Sequence, residues 1–180
     1  MRVLFLDAYN LIYRAKSGFT KGENYVIYNF FRGVRPLVEK YNPDLVYFVL
    51  EGRPKHRQTI SEGDYKSNRP SQGEHFHAQK ASIIQAVKEY MPFVTLRHPD
   101  FECDDVIATY VVEHARNGDE CFLISSDSDF IQLHNICKVT IYNPVRKKEI
   151  EKPNYDYVTW KALRGDPTDN IPGIPRVGDK

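Results

Sequence analysis

Short apolar runs alternate with segments of helical periodicity along this chain of 180 residues. The unbroken apolar runs predict buried strands at residues 2–7, 45–50, 93–96, 121–125 and 138–142. Apolar positions three and four residues apart predict helices at residues 24–40, 76–91, 102–116 and 155–164. This alternation is typical of an α/β fold, in which a mostly parallel central sheet carries helices on both faces.

Acidic residues stand where several predicted strands end. Asp7 closes the first strand, Glu51 follows the second, and Asp127 and Asp129 follow the strand at 121–125. The carboxyl ends of parallel strands meet at one edge of a sheet, which is where α/β proteins bind their ligands. We therefore expect these acidic side chains to share a site.

Two further acidic groups extend the pattern: Glu102, Asp104 and Asp105 open a helix, and Asp166 and Asp169 lie in a turn. So many carboxylates repel one another at close range unless cations neutralise them. The sequence therefore predicts a divalent-metal site built from several carboxylates.

Carboxylate ligands without His or Cys companions favour Mg²⁺ or Mn²⁺ over zinc. Two such ions about 4 Å apart can hold the attacking and leaving oxygens of a phosphodiester, and two ions need more carboxylates than one. Glu102 and Asp105 share a face if both are helical, whereas Glu102 and Asp104 converge only if Glu102 precedes the first turn. The sequence leaves both arrangements open.

The composition is that of a globular domain, with 41% hydrophobic and 27% charged residues. The first apolar run is too short for a signal peptide and no segment is long enough to cross a membrane, so we expect a cytoplasmic protein. The net charge is only +1, but acidic and basic residues are concentrated in different segments. Residues 100–129 are acidic, whereas residues 53–80 and the tail are rich in Lys and Arg. This distribution suits a polyanion that is held at its flanks and reaches metal in the middle.

Each acidic group also has a purely structural interpretation. Carboxylates near helix N-termini are commonly caps, and those in Pro-containing turns are commonly turn formers. Independent structural roles would not, however, place several groups at one predicted sheet edge.

Five segments carry a family resemblance: LDAYNL at 6–11, DYKSNR at 64–69, FECDD at 101–105, SSDSDF at 125–130 and GDPTDNIPGI at 165–174. In this order they resemble the 5′ nuclease and flap endonuclease family, which includes phage 5′-3′ exonucleases and the 5′-nuclease domain of DNA polymerase I. The resemblance implies a PIN-like core at residues 1–164, a helical arch at about 53–75, and a helix-hairpin-helix element from residue 165. It also implies that this last element is incomplete at residue 180.

The resemblance further implies a role for each matching residue. The first metal cluster would contain Asp7, Glu51, Glu102 and Asp104 with Asp127 close by, and Asp105 matches an acid of the phage branch. The second cluster would contain Asp129, Asp166 and Asp169. Lys66 would contact the scissile phosphate, Arg69 a second phosphate, and Tyr65 an unpaired base. The duplex backbone would be held by the hairpin element, with Lys161, Gly173, Gly178 and Lys180.

The implied function is hydrolysis of 5′ flaps and 5′ ends of DNA, or of RNA in hybrids, by a monomer with two Mg²⁺ or Mn²⁺ ions. A K⁺ ion at the hairpin element and a bacterial or phage-infected cell are also implied. One departure is Glu51, where the family usually has Asp. Rival interpretations are a branched-DNA-binding module that cuts poorly and a PIN-type ribonuclease. A haloacid-dehalogenase-type phosphatase would want a second acid at residue 9, where the chain has Tyr9.

Overall fold

The computed structural model of the protein describes residues 1–18, 20–54, 72–169 and 171–175. The strands are β1 (Arg2–Asp7), β2 (Leu45–Leu50), β3 (Val94–Arg97), β4 (Glu120–Ile124), β5 (Thr140–Asn143) and β6 (Lys148–Ile150). The α-helices are α1 (Ala8–Lys16), α2 (Tyr25–Tyr41), α3 (Glu74–Tyr90), α4 (Cys103–Arg116) and α5 (Tyr157–Arg164). The described residues also form two 3₁₀ helices, η1 (Ser128–Asn135) and η2 (Pro167–Asp169).

The six strands form one sheet in the order β3-β2-β1-β4-β5-β6. All neighbours pair in parallel except β5 and β6, which pair antiparallel. The chain moves outward from β1 to β2 and β3, then returns to the other side of β1 with β4. The point between β1 and β4 is therefore the topological switch point, outside which open α/β sheets bind ligands.

Alternating side chains of β1 build two cores, one on each face of the sheet. Leu4 and Leu6 pack with α1, α2 and α3, whereas Val3 and Phe5 pack with α4 and η1. All four side chains are completely buried. The predicted mostly parallel sheet with helices on both faces is thus confirmed, and β1 is the strand that both cores share.

Four of the described elements are absent from the sequence-based prediction. The helix α1 buries Ala8, Leu11, Ile12 and Ala15, a spacing of three and four that was present in the sequence but spans only nine residues. The 3₁₀ helices η1 and η2 and the three-residue strand β6 are too short or irregular to give a periodic signal. The predicted strands and helices all occur, with ends shifted by no more than a few residues.

The predicted arch falls largely outside the described residues, although residues 74 and 75 already belong to α3. The division of the chain at residue 164 stays a prediction. In the part of the chain that the structure describes, no helix is long and apolar enough to cross a membrane.

Candidate metal centre

Acidic side chains from β1, β2, β4 and α4 line one open cleft at the switch point. The register pairs Leu6 of β1 with Phe48 of β2 and Ile124 of β4, so the carboxyl ends of the three strands are level. The cleft has a volume of ≈ 1360 Å³, and its acidic lining consists of Asp7, Glu51, Glu102, Asp104 and Asp127. The tertiary structure therefore brings together five of the nine predicted metal ligands.

Asp7 is buried at the centre of this group. Its Oδ2 accepts a 2.7 Å hydrogen bond from the Ser125 hydroxyl, and its Oδ1 accepts one of 3.1 Å from the Asn10 amide, which caps α1. The Cys103 thiol lies 3.6 Å from the same Oδ1. Burial raises the pKa of Asp7 to about 6 in spite of these donors, so ionising it costs about 3 kcal/mol more than in water. A nearby cation would offset that cost.

Glu51 and the loop before α4 are held together at Gly52. A Cβ atom at Gly52 would lie 2.0 Å from the His98 carbonyl oxygen and 2.2 Å from that of Phe101. The Arg53 amide also donates to the Pro99 carbonyl at 2.9 Å. Only glycine permits this close backbone approach, which sets the end of β2 against the loop that leads to Glu102.

Glu102 occupies the N-cap position of α4 with extended backbone angles, and its side chain makes no capping hydrogen bond. It is nevertheless buried, with 3% of its surface exposed. Since Glu102 precedes the first helical turn, it lines the cleft together with Asp104. This is the second of the two arrangements that the sequence left open.

Asp105 does not line the acidic cleft. It lines a second cavity of ≈ 580 Å³ beside His98, Phe101 and Thr109. The side chains of consecutive helical residues point about 100° apart, so those of Asp104 and Asp105 line different cavities. The structure therefore gives no support to the prediction that Asp105 joins the metal ligands.

Asp127 connects the cleft to η1. Its amide donates a hydrogen bond to the Ser125 hydroxyl at 3.0 Å, and its carboxylate accepts one from the Asp129 amide at 2.9 Å. The capping interpretation is thus correct for Asp127, and Asp7 also caps a helix, α1, which the sequence did not predict. Capping uses one carboxylate oxygen of each residue and does not prevent either side chain from lining the cleft.

The second acidic group is arranged around a lysine. Lys161 of α5 forms ion pairs with Asp129 and with Asp166, the latter at 2.9 Å. Burial opposes the charged form of Lys161, but the bonds to these two carboxylates outweigh it and raise its pKa. Asp169 donates its amide to the Asp166 carbonyl at 3.1 Å. Asp129, Asp166 and Asp169 are not part of the lining of the acidic cleft.

Asp166 lies in a tight backbone turn in which Gly165 and Gly173 are in close contact. Gly165 has a φ of 76°, and a Cβ there would lie 2.4 Å from the Gly173 nitrogen. A Cβ at Gly173 would in turn lie 1.9 Å from the Arg164 carbonyl oxygen. Gly173, predicted as a DNA contact, therefore has a packing role in the described turn, and its contact with DNA stays a prediction.

The same cleft is also lined by basic and aromatic side chains that the sequence did not single out as site residues. They are Arg14, Arg32 and Lys147, with Tyr9, Tyr13 and Tyr142. The Arg14 guanidinium lies 3.3 Å from where a Cβ of Gly33 would be, so a glycine inside α2 leaves room for it. The ammonium of Lys80 lies 4.8 Å above the ring of Tyr9. These residues come from α1, α2, α3, β5 and the β5–β6 turn, so only the fold reveals their proximity.

The chemistry of the cleft fits divalent cations with oxygen ligands. Its acidic lining contains five carboxylates, and the only sulfur among the described lining residues, that of Cys103, has a pKa raised by burial and by Asp7 and Glu51. Among the described residues, no three acidic, histidine or cysteine side chains already form a closed coordination group.

The profile of the family "5′-3′ exonuclease, N-terminal resolvase-like domain" matches residues 2–162 of the chain. The chain belongs to the 5′-3′ exonuclease family. This membership confirms the resemblance on which the assignment of residue roles depends.

Two relatives of this family illustrate the match. The thermostable DNA polymerase I of Thermus thermophilus is 32% identical over 195 residues, which cover 99% of this chain and 23% of the polymerase. The 5′-3′ exonuclease of Buchnera aphidicola is 27% identical over 164 residues, which cover 86% of this chain and 56% of that protein. The chain thus spans less than a quarter of the polymerase and about half of the exonuclease.

Solved structures of bacteriophage T5 proteins share the fold. The T5 5′-exonuclease with bound zinc ions has a TM-score of 0.79 at 21% identity, over 99% of this chain and 72% of that one. The T5 flap endonuclease in complex with DNA and metal ions has a TM-score of 0.76 at 21% identity, over 99% and 71%. The PIN-like exonuclease core predicted from the resemblance is therefore confirmed.

The remaining predicted site residues lie outside the part of the chain that the structure describes. They are Tyr65, Lys66, Arg69, Gly178 and Lys180. Their roles stay predictions that rest on the family resemblance.

Proposed function

We propose that this chain is the catalytic domain of a divalent-metal-dependent 5′ nuclease that hydrolyses phosphodiesters at 5′ ends and 5′ single-stranded flaps of DNA. The observation that carries the proposal is the meeting of Asp7, Glu51, Glu102, Asp104 and Asp127 in one cleft at the switch point of a 5′-3′ exonuclease-family fold.

The buried carboxylate of Asp7 supports a cation at this position. An ionised side chain in a buried position with a raised pKa is unfavourable without a neighbouring positive charge. The groups that bond to Asp7 in the described part of the chain are the Ser125 hydroxyl, the Asn10 amide and the Cys103 thiol, none of which carries a positive charge. A divalent ion would fill that role.

The two-ion mechanism divides the work between metal and protein. When bound, the two cations supply the charge that lowers the pKa of an attacking water and stabilises the leaving oxygen. Asp7, Glu51, Glu102 and Asp104 would hold the first ion, and Asp129, Asp166 and Asp169 the second. Ser125 and the Asn10 amide fix the orientation of Asp7, while Lys66 would contact the scissile phosphate.

The distribution of charge within the cleft favours a nucleic acid strand as substrate. Arg14, Arg32 and Lys147 line the same cleft as the acidic group, and so do Tyr13 and Tyr142. Cations that contact phosphates and rings that contact bases are the usual components of a single-strand groove. A strand bound by these residues would lie in the same cleft as the proposed metal ligands.

The proposal also extends to the identity of the metal, further substrates, the oligomeric state and the location in the cell. Mg²⁺ or Mn²⁺ is the metal, because all the proposed ligands are hard oxygen donors. K⁺ at the hairpin element, RNA in hybrids as a second substrate, a monomeric state and a cytoplasmic location are expectations from the family resemblance. A T5 relative whose structure contains DNA and metal ions supports DNA as the partner.

A second candidate is a module that binds branched DNA without cutting it. The specific observation in its favour is that Lys161 already pairs with Asp129 and Asp166, so these two carboxylates are neutralised without a divalent ion. Glu51, in place of the usual Asp, is consistent with either function because a carboxylate one methylene longer can still bind metal.

Cleavage of a 5′-labelled flap substrate separates the two functions. We expect Mg²⁺ to release a short labelled product, EDTA to prevent it, and Asp129→Asn to reduce the rate at least a hundredfold while DNA binding persists. Glu151→Gln, which alters an exposed acid between β6 and α5, is the matched control and should cut normally. A mobility shift without product would favour the binding module.

A further inference from the structure

Lys161 occupies the space between the two carboxylates of the second acidic group. Its ammonium pairs with Oδ1 of Asp129 and, at 2.9 Å, with Oδ2 of Asp166. The side chain of Lys161 is 23% exposed, and those of Asp129 and Asp166 are 33% and 17% exposed. The three groups therefore form a partly enclosed cluster in which the lysine joins two elements that are distant in sequence.

The position of this ammonium coincides with the place that a cation would need to reach both carboxylates. Asp129 is fixed at the start of η1 by the hydrogen bond that its backbone amide donates to the Asp127 carboxylate. Asp166 is fixed by two backbone hydrogen bonds of 2.8 Å to Ile171 in the Gly165 turn. Because both backbones are anchored, the fold holds the two aspartates within reach of a single cation.

We propose that Lys161 is an internal counter-ion of the second metal cluster: it holds Asp129 and Asp166 together without a divalent ion and is displaced when that ion binds. The inference rests on the proposed function, since it assumes that these acids bind the second metal. Lys161 is thus a positioning residue. It and the metal ion cannot contact the two carboxylates at the same time.

Electrostatics makes the two states exclusive. A monovalent ammonium and a divalent ion that share the same carboxylate oxygens would repel each other strongly at such short range. Occupation by the metal therefore requires Lys161 to leave, and its long flexible side chain allows this with little change in α5. The displaced ammonium would be available to pair with a phosphate, which is the role predicted for it from the family resemblance. Binding of the second metal and of the DNA backbone would then be coupled.

Titration with Mn²⁺ in the absence of DNA, followed by the EPR signal of free Mn²⁺, tests the competition without using activity. Lys161→Met removes the charge and keeps an unbranched side chain of similar length. We expect the weaker of two Mn²⁺ sites to bind roughly tenfold more tightly in this variant, because its competitor is gone. Lys152→Met removes an exposed charge just before α5 and should leave both affinities unchanged.

Two outcomes of the titration overturn different claims. Two Mn²⁺ sites whose affinities are the same in Lys161→Met and in the unaltered chain would overturn the counter-ion role alone. A chain that binds no Mn²⁺ would overturn the proposed metal centre and this inference together.

A second measurement needs no variant and so does not depend on the folding of Lys161→Met. Acetylation of lysines in the unaltered chain, read out by mass spectrometry, reports how accessible each ammonium is. We expect Lys161 to react slowly in EDTA and several times faster with saturating Mn²⁺, while Lys152 reacts equally in both. An equal or slower rate for Lys161 with Mn²⁺ would overturn the displacement.

Discussion

The hydroxyl of Ser125 donates a 2.7 Å hydrogen bond to the buried carboxylate of Asp7, and so joins the end of β4 to the end of β1. A parallel connection lies beside it, where the side-chain oxygen of Asn10 accepts hydrogen bonds from the amide and the hydroxyl of Ser126 at 3.0 and 2.9 Å. These bonds cross the switch point of the sheet. They fix the relative positions of the two strand ends that supply Asp7 and Asp127.

Ser125→Ala should destabilise the metal-free protein by about 2 kcal/mol, because a buried carboxylate loses a hydrogen-bond donor. Urea unfolding in EDTA measures the change. Ser82→Ala is the control, since the Ser82 hydroxyl is exposed and bonds to the Ala78 carbonyl within α3; it should change stability by less than about 0.5 kcal/mol. Equal midpoints for the two variants would contradict the structural importance of the Ser125 bond.

Gly52→Ala should weaken metal binding as well as stability. The new Cβ would collide with the carbonyl oxygens of His98 and Phe101, so the loop that leads to Glu102 must move away from Glu51. We expect a loss of about 1–3 kcal/mol in unfolding free energy, as for other overpacked positions, and a reduced Mn²⁺ affinity by calorimetry. Gly73→Ala, where a Cβ meets nothing within 4 Å, should leave the Mn²⁺ affinity unchanged, and a Gly52→Ala protein with the same affinity as this control would refute the close approach.

Arg32→Ala should weaken binding of single-stranded DNA and lower its salt dependence. Removal of one ion pair between Arg32 and a phosphate should reduce the slope of log K against log salt by about 0.7. Fluorescence anisotropy in EDTA over a series of NaCl concentrations gives both values. Arg35 lies on the same helix but pairs with Glu39 at 2.8 Å and is outside the cleft lining, so Arg35→Ala is the matched control. A slope reduced equally by both variants would exclude a specific role for the cleft.

Asp119 should make stability depend on pH in the acid range. Its pKa is lowered by hydrogen bonds from the N-terminal ammonium of Met1 and from His114, both at 2.7 Å. A carboxyl whose pKa is lower in the folded state contributes stability that is fully present above its unfolded pKa of about 3.9 and is lost as the pH falls through its folded value. Melting temperatures between pH 2 and 6 should therefore fall more steeply for the unaltered chain than for Asp119→Asn, and parallel curves would contradict the assignment.

The sequence by itself determined the α/β architecture and the main candidate ligands. The apolar runs of β1, β2 and β4 are nearly continuous because both faces of a parallel sheet are buried. Such runs are recognisable from local composition alone. The shared site of the acids that follow these runs could be predicted from one rule, that parallel strands end at the same edge of the sheet. Asp7, Glu51 and Asp127 do line a single cleft at that edge.

The tertiary structure decided which neighbours of these acids take part. It separated Asp105 from Asp104, placed Lys161 between Asp129 and Asp166, and brought Arg14 and Arg32 into the cleft. It also explained Gly52 and Gly165 by close backbone approaches. The physical reason is the same in each case: these relationships join residues from different elements, and the direction of a side chain depends on how those elements pack rather than on local sequence.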